Sequence, residues 1–256
     1  MNQVKIQALQ AEYGDCIFVS IEEHSEIFNI LVDGGTKNTY LDLRAGYPMP
    51  GVLRQKLDEL KTKGQHVDLL VMTHIDNDHI AGILEWFRTN IPSRDFVRRI
   101  WFNDNMEIPT YESKDNSKGQ AIDLKTLFDK HGISYQGQIV CGQEYPFVFG
   151  RIYVLAPCVD YHNKIARELQ NEIDKKSQNN NSSNTHYDVD IDDLMKQKWK
   201  VSLSPSNKAS IALLITTDSG KNNLLLGDAD IDVVIESLRA LGYDEKHKLQ
   251  CDVVKL

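Results

Sequence analysis

Apolar and polar side chains alternate over residues 4–9, and a mostly apolar run covers 16–21, so the two stretches predict a hairpin turning near Gly14-Asp15. Residues 27–32 read as a third strand. It delivers Asp33-Gly34-Gly35, where the glycines permit a tight turn and close backbone approach. Residues 39–50, with Pro48 and Pro50, are expected as a loop, and 51–63 carries Val52, Leu53, Leu57 and Leu60 at helical spacing. The apolar run 67–72 predicts a short buried strand, and 80–87 again has helical spacing. Residues 98–102 predict a strand, and 117–131 an amphipathic helix through Ile122, Leu124, Leu127 and Phe128. His131-Gly132 suits its C-terminus, with Gly at the left-handed stop, so His131 reads as a helix-end residue.

Residues 139–141 and 145–156, the latter broken at Gly150 and ended by Pro157, read as strands. Beyond them the composition turns to charged and amide side chains, with a low-complexity run at 179–184 and aspartates at 188, 190, 192 and 193. Those aspartates lack the spacing of a calcium loop, so a solvated insertion is expected. Apolar character resumes over 209–217 and 223–226 around Asp218-Ser219-Gly220, then in a helix over 231–241 and a strand over 252–256. Strands alternating with helices predict an α/β sandwich.

The chain has 256 residues, 41% of them hydrophobic, which is enough for a sizeable core. Its formal charge of −8 argues against a generally basic nucleic-acid surface, because phosphate affinity comes mainly from Lys and Arg. Arg94, Arg98 and Arg99, and Lys196, Lys198 and Lys200, form local basic clusters that read as solvated faces. Cys16, Cys141, Cys158 and Cys251 are far apart with no C-x-x-C pair, so buried free thiols are expected. Lys5, Glu12 and Asp15 stand where a secretory leader would be apolar, and no apolar stretch suffices for a membrane span, so a cytoplasmic protein without membrane contact is expected.

The densest chemistry lies at Thr73-His74-Ile75-Asp76-Asn77-Asp78-His79-Ile80-Ala81-Gly82. Two imidazoles and two carboxylates fall within six residues, between a predicted strand and a predicted helix. Mixed N/O donors of this kind suit zinc, manganese or iron, and a strand-to-helix loop can aim several of them at one point.

This stretch resembles the H-x-H-x-D-H signature of metallo-β-lactamase-fold hydrolases, with His74, Asp76, Asp78 and His79 on the four ligand positions and Asp76 in place of the usual second His. That departure is similar to the metallo-β-lactamase-like domain of the bacterial DNA-uptake (ComEC) proteins and their soluble relatives. Tyr13-Gly14-Asp15-Cys16-Ile17-Phe18-Val19, Leu31-Val32-Asp33-Gly34-Gly35 and Leu224-Leu225-Leu226-Gly227-Asp228 extend the likeness along the chain. The resemblance implies a single αβ/βα four-layer sandwich over 1–256, with 1–157 as the first half, 158–206 as a polar insertion and 207–256 as part of the second half. It further implies two divalent ions, Zn or Mn, held by His74, Asp76, Asp78, His79 and a bridging Asp228, with Asp78 also orienting the attacking water and Asp33 supporting the loop. On residues alone, Asp33 also fits a strand-ending turn and Asp228 also fits the N-cap of the following helix. Asn207 to Ser210 is similar to the N-x-x-S of the DNA-uptake relatives.

Relatives carry one further His ligand after the strand matched by 252–256, and no counterpart is expected before Leu256. The expectation is a second half left incomplete, by a shortened chain, by a site completed by a partner protein at the C-terminal edge, or by decay of the activity. Resemblance favours a metal-dependent phosphodiesterase or nuclease acting on nucleic acid or another phosphodiester. The alternative is a degraded hydrolase-fold subunit acting as an interaction partner in a bacterial defence-type system.

Overall fold

The computed structural model describes residues 3–103, 116–159 and 205–255. Gln3–Ala8 (β1), Ile17–Glu23 (β2) and Glu26–Val32 (β3) form an antiparallel meander, in register from Gln3 opposite Glu22 and from Ile17 opposite Val32. A short helix, Lys37–Tyr40 (α1), and a small hairpin, Leu41–Asp42 (β4) with Met49–Pro50 (β5), lead into Val52–Thr62 (α2). Leu69–Met72 (β6), Asn77–Thr89 (α3), Ile100–Phe102 (β7) and Asn116–His131 (α4) follow. β6 and β7 add to β3 in parallel, giving a five-stranded sheet in the order β1-β2-β3-β6-β7.

The second sheet is built from Glu144–Phe147 (β8), Gly150–Ala156 (β9), Ala212–Thr217 (β10), Asn222–Leu225 (β11) and Val253–Lys255 (β12), in the order β12-β11-β10-β9-β8. Its pairings are antiparallel apart from β12, which joins β11 in parallel. Two helices accompany it: Pro205–Lys208 (α5), just before β10, and Ile231–Ala240 (α6).

The two sheets face each other. Ile17, Val19 and Ile21 of β2 and Ile30 and Val32 of β3 pack against Ile152, Val154, Leu213 and Ile215 of the second sheet. The residues between them, Phe18 and Leu31, point to the opposite side and meet Leu53, Leu57, Ile80 and Phe87 of the helices. Burial on both faces explains why these strands read as nearly continuous apolar runs rather than strict alternations. β10 repeats the pattern, sending Leu213 and Ile215 inward and Leu214 outward to Val233 and Val234 of α6. The result is helix, sheet, sheet, helix, the four-layer α/β architecture expected from the sequence.

α3 buries Ile80, Ile83, Leu84 and Phe87, an i, i+3, i+4, i+7 stripe in which no residue is more than 2% exposed. Each such side chain contributes about 1.5–3 kcal/mol, which holds the helix start firmly against the first sheet. This matters because α3 carries Asp78 and His79 in its first turn.

Three local expectations are corrected. Residues 39–50 are not a plain loop: they hold part of α1 and the β4–β5 hairpin. Residues 139–141 form no strand, because the side chain of Asn103 takes the place of a neighbouring strand. It accepts from Ile139 N and donates to Ile139 O, both at 2.8 Å. Cys141 and Cys158 are joined in a disulfide, so only Cys16, which is buried, and Cys251, which is half-buried, are free thiols. Strand β9 carries the chain to Cys158 while Cys141 N donates to Pro157 O at 2.7 Å, a closeness that spacing in sequence does not reveal. The run at 179–184, the aspartates at 188–193, Lys196, Lys198, Lys200, His162 and His186 lie outside the described residues. No described helix is long and apolar enough to cross a membrane.

Candidate metal centre

The loop from β6 to α3 starts with Thr73 and His74, both buried. Asp76 is the N-cap residue of α3 by its extended backbone, yet its side chain makes no capping hydrogen bond. Its carboxylate instead lies 3.6 Å from Nε2 of His74.

Behind the loop sits Asp33, 1% exposed, in the left-handed region at φ 58°. The Gly34 backbone is pressed against α3. Its N–H donates to His79 O at 2.7 Å, and a Cβ on Gly82 would fall 2.0 Å from Gly34 O. Only glycine permits this contact, and it brings the Asp33 carboxylate under the ligand loop. Oδ1 accepts from Thr73 N at 2.8 Å, and Oδ2 accepts from the Thr73 hydroxyl at 2.6 Å. Nδ1 of His79 lies 2.9 Å from the same Oδ2. A carboxylate can only accept, so His79 is protonated at Nδ1. The Thr73 hydroxyl gives its one proton to Asp33, so it accepts from Nδ1 of His74 at 3.0 Å. One buried carboxylate thereby fixes both imidazoles with Nε2 free to face the centre.

The second half supplies Asp228, just beyond β11. Its Oδ2 stands 3.9 Å from Nε2 of His74 and 3.8 Å from Nε2 of His79. Asn207 of α5 donates to that oxygen at 3.1 Å, and Asp228 N donates to Ser210 Oγ at 3.2 Å. Asp228 is therefore not the N-cap of α6. Asp230 is, accepting from Asp232 N at 3.0 Å. Asp78 Oδ2 lies 3.9 Å from Nε2 of His79, so each of the three expected carboxylate ligands has an oxygen within 3.9 Å of an imidazole Nε2.

The donor set fits a divalent cation. Nε2 of His74 is buried without a hydrogen-bond partner among the described residues, which for a lone pair in a protein interior costs about 1–3 kcal/mol unless something positive meets it. Metal bonds of about 2.0–2.2 Å let one ion touch two ligands up to about 4.4 Å apart, and the 3.6–3.9 Å separations fall inside that span. His74, His79 and Asp228 form a triad whose ligand atoms lie within 4.8 Å of one another. Three carboxylates crowding two imidazoles repel each other until a cation neutralises them. Burial would lower the pKa of His79, but the hydrogen bond and charge of Asp33, with Asp228 and Asp78, outweigh it and push it up to about 9. Burial likewise works to raise Asp76, but His74 and a hydrogen bond from Ser206 of α5 hold it below the usual carboxylate range. Thr73 and Ser206 carry no sequence signal of these roles. Asn207 and Ser210 were marked only by resemblance.

Residues 12–125 match the model of the Metallo-beta-lactamase superfamily. The matched stretch runs from the turn before β2 into the middle of α4 and holds His74, Asp76, Asp78 and His79, while Asp228 lies beyond it. Among solved structures, MEM-A1, a subclass B3 metallo-beta-lactamase isolated from a soil metagenome library, is similar at 10% identity, covering 97% of this chain and 78% of that one, with a TM-score of 0.36. A second, solved for a study of indirect contributions of mutations to the optimization of new enzyme function, is 13% identical, covering 89% and 75%, with a TM-score of 0.39. No curated protein matches the chain.

Proposed function

We propose that the protein is a metal-dependent hydrolase that cleaves phosphodiesters, with nucleic acid or nucleotides as the substrate class. The observation that carries the reading is Nε2 of His74, buried and without a hydrogen-bond partner among the described residues, close to Nε2 of His79 and Oδ2 of Asp228. Such an arrangement costs stability and is retained where a cation repays it. The superfamily match supports metal-dependent hydrolysis at the coarser level.

His74, Asp76, Asp78, His79 and Asp228 would hold the divalent ions, Asp228 standing nearly equidistant from the two imidazoles. Bound divalent ions would supply an acidified water and positive charge against the phosphoryl oxygens. Asp78, whose Oδ2 lies 3.9 Å from Nε2 of His79, would hold the proton of that water. Asp33 and Thr73 keep the imidazoles from turning, and the sheets behind them exclude bulk water from one side. Carboxylate in place of imidazole at Asp76 hardens the donor set, which favours manganese beside zinc.

The test is elemental mass spectrometry on wild type and His79→Ala, followed by assays of the loaded protein on bis(p-nitrophenyl) phosphate and p-nitrophenyl acetate. About two equivalents of metal, lost in the variant, and phosphodiester cleavage abolished by Asp78→Ala are expected. A metal-free wild type, or turnover of the acetate alone, overturns the reading.

A further inference from the structure

Tyr13 is the most exposed large hydrophobic side chain among the described residues, at 75%, and its hydroxyl makes no hydrogen bond and its ring no aromatic contact there. A tyrosine so placed is ordinarily unremarkable, but the turn that carries it is fastened with unusual care beside the metal centre. Gly14, the next residue, lies directly on Asp78: a Cβ there would come within 1.7 Å of Asp78 O. Asp15 N donates to that same oxygen at 3.2 Å, and the Asp15 carboxylate is paired with Lys255 of β12 at 2.9 Å. On the other flank Glu12 is held at φ 63°, a left-handed backbone that costs a non-glycine residue of its type about 1 kcal/mol or more. Its carboxylate takes hydrogen bonds from Thr36 at 2.7 Å, Asn38 at 3.1 Å and Arg44 at 3.3 Å.

Both neighbours of Tyr13 are thus locked, one onto the residue that would orient the attacking water. A strained, over-determined turn that keeps an aromatic ring in water gains nothing for the core. What it gains is an aromatic side chain on a backbone turn fixed beside Asp78, a residue of the candidate metal centre. We propose that Tyr13 is a stacking platform for a base of the substrate, an inference that rests on the phosphodiesterase reading. The acidic chain adds to the argument. With a net charge of −8, general neutralisation of phosphates along a strand contributes less than on a basic protein, which leaves room for base contacts, and every base has a π-face.

The experiment is fluorescence anisotropy in manganese buffer with two hydrolysis-resistant phosphorothioate strands of equal length, oligothymidine and its abasic counterpart, on wild type, Tyr13→Phe and Tyr13→Ala. Wild type and Tyr13→Phe are expected to prefer the base-bearing strand by about tenfold, and Tyr13→Ala to lose that preference through the base-bearing strand alone. Equal affinity of wild type for the two strands overturns the inference. So does binding of neither, or an equal loss on both in Tyr13→Ala, which is what a merely structural residue would give. If the base preference depends on Tyr13 while bis(p-nitrophenyl) phosphate is not cleaved, the hydrolase reading fails and the stacking site stands.

Discussion

His74 and His79 come from the β6–α3 loop and the first turn of α3 with 1% and 4% of their side chains exposed, whereas Asp228 reaches the same space from just beyond β11 with 38% exposed. The supports differ in the same way. Each imidazole is tied, directly or through Thr73, to one carboxylate that is itself buried. Asp228 is steered by Asn207 and Ser210, whose bonds to it are only part-buried. One side of the centre is therefore a rigid shelf whose geometry is set by folding, and the other a polar arm that water can reach. Errors on the shelf should cost fold and metal together. Errors on the arm should cost metal alone.

The largest effect expected is at Asp33. Asp33→Ala strands Thr73 N, the Thr73 hydroxyl and His79 Nδ1–H in the interior, at about 1–3 kcal/mol each, a large part of an ordinary domain's stability. Asp33→Asn keeps the shape but not the charge, and should lower metal affinity about 100-fold and depress the thermal midpoint of the metal-free protein. Competition titration with a chromogenic chelator reads the first, and calorimetry the second. Wild-type affinity in Asp33→Asn would mean that the imidazoles need no such anchor.

A smaller effect follows on the arm. Asn207→Ala removes one donor to Asp228 and should weaken metal binding about tenfold while shifting the metal-free midpoint by less than about 1 kcal/mol equivalent. A fall in apo-stability as deep as that of Asp33→Asn would erase the distinction between shelf and arm.

The shelf was also the part legible in the sequence. His74, Asp76, Asp78 and His79 lie within one strand-to-helix turn, and the glycines after Asp33 announce a close approach. The arm was legible only through likeness to other chains, because Asn207 and Asp228 meet 21 residues apart through the packing of α5 beside β11. Thr73 is an ordinary strand-end threonine until folding brings Asp33, 40 residues away, beneath it. The apolar run at 139–141 misled for a related reason. β-branched residues favour a strand, but here Ile139 pairs with the Asn103 side chain, Val140 with that of Gln143 and Cys141 with Pro157 O, and no periodicity encodes that.

A last effect separates the two sides by pH. In the metal-free protein His79 has its pKa raised from 6.5 to about 9, against the pull of burial, by Asp33 first and by Asp228 and Asp78 after it. A group whose folded pKa is raised stabilises the fold fully below its unfolded value and stops doing so as pH passes the folded one. Stability of the apo-protein should therefore fall as pH rises from about 6.5 through about 9, by an amount that Asp33→Asn reduces and Asn207→Ala does not. Denaturant titrations at the two ends of that window, on the three proteins stripped of metal, give the comparison directly. If the slope persists undiminished in Asp33→Asn, the charge that holds His79 comes from the open side of the centre, from Asp228 and Asp78, and the shelf is less self-contained than its hydrogen bonds imply.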